Sequence, residues 1–568
     1  MTDIKKPAMC PMVGWYDPRQ LARTAVDVAV STIFGRHADY RITESLVLPS
    51  ADENVWEDEN PPDITSDADG VHNYGDRDHI WIDYVADTGD GWNSTYAVAY
   101  QVGQPQLSLP GVDEQLLRGE VLVFGGDQVY PVANRKSYRE RLLEPYESAL
   151  PRTDAPNPHV FAVPGNHDWY DSLVSFTRLF CSRRWFGGWK TRQSRSYFAL
   201  RLPHRWWLVG VDVQLDSDID IPQVKFFRRI ARRMGEGDRI ILCTAEPHWI
   251  FAKLYKQYDA EINENNLEFL DKKVFQKQNL AVYLSGDLHH YRRHATDDGR
   301  QKITAGGGGA FLHPTHGDDV SQLDGGYKLR ESFPPVSESK KLTWKNLGFL
   351  FLNPWFGVAT ALLYMLTCWS VMTNLSRFGI RQLWPAMKVA IAASIANPTA
   401  VFWILLVWGG FLMFTDVHSK AYRLIAGTLH GFTHVLATFF IGWFATYASV
   451  RWLHFPFKSP FQLLIAGAVI SALGWIVGSI VMGVYLAISL NVFGRHSNET
   501  FSALANPDWK HFLRLKIDSG GALTIFPIGI RRVARKWKSS GAETGATFVS
   551  DDPQSTNPEL IENPIVIP

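Results

Sequence analysis

The chain has 568 residues, more than one hydrophobic core usually serves, so two or more domains are expected. Lysine plus arginine equals aspartate plus glutamate at 57 each, so no overall charge argues for a nucleic-acid partner. The four cysteines (Cys10, Cys181, Cys243 and Cys368) contain no C-x-x-C pair, which excludes a zinc ribbon and a disulfide framework and fits a reducing compartment.

From the N-terminus, Met1 to Met12 carries no apolar signal core, so whatever precedes a first membrane span is expected in the cytoplasm. Residues 1–75 read as a helical lead-in, with a helix over Pro18–Phe34. Short β-rich runs then alternate with helical stretches, the pattern of an α/β domain over residues 76–320. The predicted strands are His79–Ala86, Glu120–Phe124, His159–Val163, Ser196–Arg201, Trp206–Val211, Arg239–Thr244, Leu280–Leu284 and Lys302–Ala305. Further helices are predicted over Arg135–Ala149 and Gln223–Met234. Residues 321–346, with Gly325, Gly326, Pro334 and Pro335, read as a linker.

Residues 347–490 are dominated by apolar runs, and a bilayer span needs about 20 such residues. Four spans are predicted: Leu347–Met372, Asn397–Phe414, Leu424–Val450 and Phe461–Leu490. Their even number and the basic flanks (Lys340, Lys341 and Lys345 before, Arg495 and Lys510 after) put both ends on the cytoplasmic side of the cell membrane. Gly474 and Gly478 form a G-x-x-x-G, which packs helices closely, within one chain or between copies in a homo-oligomer. His430 and His434 lie four residues apart inside the third span. A basic cytoplasmic segment, 491–538, contains a hairpin of Phe512–Ile517 and Ala522–Phe526, and 539–568 reads as a disordered tail.

Five polar clusters each follow a predicted strand: Asp87-Thr88-Gly89-Asp90, Gly126-Asp127-Gln128-Val129-Tyr130, Gly165-Asn166-His167-Asp168, Glu246-Pro247-His248 and Gly286-Asp287-Leu288-His289. Carboxylates, imidazoles and an amide oxygen gathered from several strand ends suit two metal ions about 3.5–4 Å apart, the device for hydrolysing phosphate esters at neutral pH. In order and spelling the set resembles the calcineurin-like metallophosphoesterases, and among them the purple acid phosphatases, over about residues 79–312.

That resemblance implies a two-sheet β-sandwich flanked by helices, here followed by a four-helix transmembrane region. It implies a phosphomonoesterase or phosphodiesterase in which metal-activated water attacks phosphorus. Asp87, Tyr130 and His289 would bind the first metal, Asn166 and His248 the second, and Asp127 both. Asp287 stands where the family has a histidine; as a ligand it favours iron or manganese over zinc. His167 would be the catalytic acid, with Asp168 fixing its tautomer. Asp90 is an extra carboxylate, a ligand or a hydrogen-bond acceptor.

Arg183, Arg184 and Arg192 lie among tryptophans and are read as a grip on a phosphorylated substrate, either a small molecule or a lipid-linked phosphate. The Gly306–Gly309 run is either an anion-binding loop or a permissive turn, and His313 and His316 beside it read as solvated. The Asp287 substitution leaves a second class open: a weakened phosphoesterase-like domain in a membrane sensor or transport protein.

Overall fold

The computed structural model describes residues 7–30, 70–153, 157–213, 218–255, 265–372, 379–415, 419–541, 545–552 and 556–568. They divide into two units, one of Met1–Val13, Thr24–Val336 and Ala505–Pro568, the other of Gly14–Arg23 and Ser337–Leu504.

The first unit is built on β1 (Ile80–Val85), β2 (Val121–Phe124), β3 (His159–Ala162), β4 (Trp206–Gly210), β5 (Arg239–Cys243), β6 (Asn279–Ser285), β7 (Gln301–Ala305), β8 (Lys510–Ile517) and β9 (Leu523–Ile530). One sheet runs β9-β8-β1-β2-β3, and its three central strands β1, β2 and β3 are parallel. The other has β4, β5, β6 and β7 parallel in sequence order, widened at both sides by shorter strands.

Strands covered on both faces read as continuous apolar runs, which is why β1 to β7 were visible in the sequence. Ile80, Ile82, Tyr84, Val121 and Val123 point between the sheets and meet Leu208, Ile241 and Leu284. Trp81, Val85, Leu122 and Phe124 point the other way, onto the helix Trp92–Gly103 and its neighbours. The outer face of the second sheet packs on Phe226, Phe227 and Ile230 of Ile221–Ala231.

Three boundaries expected from the sequence are corrected. Residues 510–530 are two strands of the first sheet, not a separate cytoplasmic segment, and β8 pairs with β1 over Ile517 to Leu513. The tail is not disordered throughout: Glu559–Leu560 and Ile565–Ile567 add to β9, and Ile565 and Ile567 enter the core between the sheets. Alternating apolar residues in so short a segment look polar in sequence, although every second one is buried. The expected linker carries Tyr327–Phe333, paired with Tyr291–Ala295. Of the lead-in, Pro18–Val30 is helical and Val71–Asn73 pairs with Phe198–Arg201; residues 31–69 lie outside those described.

The second unit is helical: α1 (Pro354–Met372), α2 (Leu383–Ala396), α3 (Pro398–Phe414), α4 (Lys420–Arg451) and α5 (Pro460–Phe493). By length and composition α4 and α5 can each cross a membrane, and two bent helix pairs raise the number to as many as four. The expected first span is broken at Asn353-Pro354 (63°), and the second is preceded by α2 across a 98° bend at Asn397-Pro398. Proline lacks the N–H an unbroken helix needs and pushes the preceding residue out of helical geometry, so each break falls at an Asn-Pro step. Asn397 caps the restart by accepting from Thr399 N at 3.0 Å. The G-x-x-x-G packs within the chain: a Cβ on Gly474 would lie 2.9 Å from Tyr364 Cβ and one on Gly478 2.6 Å from Thr360 Cβ, both in α1.

Candidate metal centre

Every cluster singled out in the sequence follows the carboxyl end of a parallel strand: Asp87 after β1, Asp127 after β2, Asn166 after β3, His248 after β5, and Asp287 and His289 after β6. Asp87 (φ 57°), Asp127 (φ 48°) and Asp287 (φ 66°) are all left-handed, a conformation aspartate tolerates better than most residues. Three strained turns, two at the carboxyl edge of the first sheet and one at that of the second, aim three carboxylates at a common space.

That space is organised around the Tyr130 hydroxyl. Its oxygen lies 3.0 Å from Asp87 Oδ1, 3.1 Å from Asp127 Oδ2 and 2.9 Å from His289 Nε2. His289 donates its Nδ1–H to Phe311 O at 2.7 Å, so in the neutral ring Nε2 is a bare lone pair. One phenol proton therefore faces three acceptors and satisfies one. Among the described residues no trio of His, Cys, Asp and Glu alone is gathered to hold a metal ion; the point of convergence here is a tyrosine oxygen. After β3 and β5, Asn166 Oδ1 and His248 Nε2 are buried without a hydrogen-bond partner. Orphaned acceptors of this kind fit a cation.

The electrostatics agree. Burial first, then the charges of Asp127 and Asp287, holds the Asp87 carboxyl well above its usual range. Burial and Asp127 push Asp287 up to about 7, and burial raises Asp127. Burial lowers His248 to about 4 and His289 further, leaving both imidazoles neutral. Asp287 N also donates to Asp87 Oδ2 at 2.8 Å, so the residue in the histidine's place belongs to the cluster.

Several assigned roles change. Asp168 accepts from Tyr138 OH at 2.6 Å, Gly165 N at 2.9 Å and Gln128 N at 3.3 Å, tying the Asp127 and Asn166 loops together. The His167 tautomer is set by Pro131 O, which accepts from Nδ1 at 2.6 Å. Asp90 accepts from Val13 N and Phe311 N at 2.8 and 3.0 Å and so anchors loops. The Arg183–Arg192 hairpin pairs with the start of β3, the end opposite Asn166, and buried Arg192 contacts His159 Nε2 at 2.9 Å. Its arginines are thus not gathered with the ligand residues. His316 is buried and His313 stacks on His289 at 3.9 Å, so neither is solvated.

The glycine run is close packing: a Cβ on Gly306 would lie 2.2 Å from Asp87 Oδ2 and one on Gly307 2.0 Å from His511 Nδ1. Sequence reasoning missed Lys510, a fully buried cation near Asp90 and Asp87 that donates to Ala310 O. Its only signal is a lysine opening a strand in which apolar residues alternate with basic ones.

The model of the calcineurin-like phosphoesterase family matches residues 80–291. This stretch is a calcineurin-like phosphoesterase domain. Domains of this family generally bind a dinuclear metal site. Among solved structures the chain is similar to GAP50, described as the anchor in the inner membrane complex of Plasmodium, at 13% identity and a TM-score of 0.31, over 44% of this chain and 76% of that one. It is also similar to PhoD, at 10% identity and a TM-score of 0.24, over 41% of this chain and 58% of that one. No curated protein matches.

A pH dependence follows for the phosphoesterase domain stripped of metal. Asp287 has a folded value of about 7 against 3.8 for the free group. Between these values the folded chain holds protons that the unfolded chain has released, so stability falls as pH rises through that window. Burial of His248 and His289 acts in the opposite sense, so Asp287→Asn isolates the effect: from pH 4.5 to pH 7.5 the melting point of chelator-treated wild type should fall on the order of 5–10 °C relative to that of the variant, and Mn²⁺ should reverse the difference. Wild-type and Asp287→Asn melting points that change in parallel with pH in the metal-free protein would contradict the carboxylate cluster.

Proposed function

We propose that the chain is a metal-dependent phosphoesterase acting on a phosphomonoester or phosphodiester at a dinuclear site. The observation that carries this reading is the Tyr130 oxygen facing Asp87, Asp127 and His289 with one proton to share. Asp87, Tyr130 and His289 would hold one ion, Asn166, His248 and Asp287 the other, with Asp127 between them. Bound there, two ions acidify water and offset charge on the phosphoryl oxygens. An oxygen-rich donor set favours iron or manganese over zinc.

The chain's own contribution is positional. The Pro131 carbonyl holds the His167 Nδ1 proton, which leaves Nε2 as the nitrogen that exchanges a proton with the substrate or its leaving group. Asp168 and Tyr138 keep the Asp127 and Asn166 loops in register with each other.

Apolar helices able to cross a membrane make a lipid-linked phosphate the favoured substrate class, ahead of a soluble phosphoester. The test is a panel of phosphomonoesters and phosphodiesters, including phosphatidic acid in vesicles, on metal-defined full-length protein. Turnover abolished by chelation and restored by Mn²⁺ is expected; no turnover of any ester would favour the sensor reading.

Topology gives a second test. Residues before 336 and after 505 build one sandwich, so the chain between them must cross a membrane an even number of times. Cysteines introduced at Lys340 and Lys538 should react with an impermeant maleimide from the same side. Labelling from opposite sides would require an odd number of crossings.

A further inference from the structure

The helical unit carries a second constellation that phosphoester hydrolysis does not use. On α4 the buried polar residues His430, His434, Thr438, Thr446 and Ser449 recur near every fourth position, with Gly442 between. This stripe runs over 20 residues, about 28 Å at the helical rise, close to the thickness of a bilayer's hydrocarbon core. Polar residues so placed inside an apolar bundle are expensive and mark ion or proton routes.

Partners from the neighbouring helices complete the stripe. Tyr364 OH on α1 lies 2.8 Å from His434 Nδ1, and His434 Nε2 lies 3.2 Å from His430 Nε2. His430 Nδ1 is buried with no partner. Its ring stacks on Tyr485 of α5 at 3.9 Å, and Tyr485 OH lies 3.0 Å from His496 Nε2. His496 Nδ1 is 3.4 Å from Glu499, whose side chain is 39% exposed. Phe411 of α3 covers both imidazoles, at 4.0 Å from His434 and 4.3 Å from His430, a surface that favours a passing imidazolium. Further along, Cys368 Sγ donates to Thr438 O, Gln462 Nε2 donates to Ser449 Oγ at 3.0 Å, and Gln462 Oε1 accepts from Lys458 N in an exposed turn. Among the described residues, Tyr422, bonded to Ser489, and Tyr16, bonded to Glu499 O, also face the path.

We propose that the helical unit conducts protons along this stripe, between Glu499 and the Gln462 turn. A proton from Glu499 enters His496 at Nδ1, and the Nε2 proton leaves to Tyr485. The Tyr485 proton reaches the open His430 Nδ1 across one water, since no hydrogen bond joins these two side chains. His430 then passes its Nε2 proton to His434, whose Nδ1 proton moves toward Tyr364. Beyond Tyr364, waters beside Thr438, Thr446 and Ser449 carry the proton to the Gln462 turn, and every side chain ends with the protons it began with. The inference stands apart from the phosphoesterase reading.

The test uses full-length protein in liposomes enclosing a pH-sensitive dye, with proton entry driven by a valinomycin potassium potential. Influx about tenfold above protein-free liposomes is expected, with His434→Phe falling to near the protein-free rate and Tyr364→Phe reduced several-fold. Retained phosphoester hydrolysis or an unchanged melting profile shows that these variants fold, and Asp127→Asn should conduct normally. Equal influx through wild type and His434→Phe, influx no greater than in protein-free liposomes, or entry of Mn²⁺ in place of protons would each overturn the proposal.

Discussion

A chain ended after Leu504 is expected to lose its phosphoesterase fold, although every candidate ligand residue is still present. The missing β8 and β9 supply Leu513, Leu515, Ile517, Leu523 and Ile525 to the core between the sheets. Five fully buried side chains at about 1.5–3 kcal/mol each are worth roughly as much as the net stability of a whole domain. The loss also orphans Asp83, buried in β1, whose oxygens accept from Arg514 Nε at 2.7 Å and NH2 at 3.0 Å. Breaking a buried pair from one side costs about 3–5 kcal/mol, because the remaining charge has no partner. Arg514→Ala alone should therefore lower the melting temperature by on the order of 10 °C, with Asp83→Leu/Arg514→Met recovering most of it. A chain of residues 1–336 joined by a flexible linker to 505–568 should fold without the helices. Solubility and a cooperative melt of the chain ended at Leu504 would contradict the assignment of β8 and β9 to the sandwich.

In the site itself, Asp127→Asn and His167→Ala are expected to lose activity for different reasons. Asp127 Oδ2 faces the Tyr130 oxygen, and Oδ1 accepts from His167 N at 3.0 Å, so its carboxylate sits at the centre of the cluster. Removing its charge should lower metal content and turnover together. His167 is held by Pro131 O, so His167→Ala should keep its metal yet lose about 10²–10⁴-fold in turnover. Elemental analysis beside steady-state rates separates the two. A His167→Ala enzyme of near-normal rate on every ester would remove the histidine from the chemistry.

The strands carrying the site were legible because parallel strands covered on both faces must be apolar throughout. All eight predicted strands are present to within two residues at each end. Four of the five ligand clusters were legible because each sits where such a run stops at Gly or Asp; the fifth, Glu246-Pro247-His248, follows Thr244-Ala245. What the chain did not disclose are contacts between distant segments. Asp83 and Arg514 are 431 positions apart, and one arginine in a strand with other basic residues carries no mark of its partner. Asp168 was misread because adjacency to His167 suggests contact, whereas the helix beginning at Asn166 turns its carboxylate back to Gly165 N and Gln128 N. The arginine loop was misread because composition locates charge without saying which end of a strand it lies beside. Asn353 and Asn397 break the apolar runs through the prolines after them, which hydropathy alone does not weigh.

The central claim is that the cluster around Tyr130 is a two-metal hydrolytic site, and titration of metal back into stripped protein tests it most directly. Full-length protein freed of metal by chelation should be inactive toward the best ester of the panel. Added Mn²⁺ or iron should restore turnover, with a break at two equivalents per chain in wild type and no recovery in Asp127→Asn. Full turnover in the stripped protein, or recovery in Asp127→Asn equal to wild type, would contradict the account.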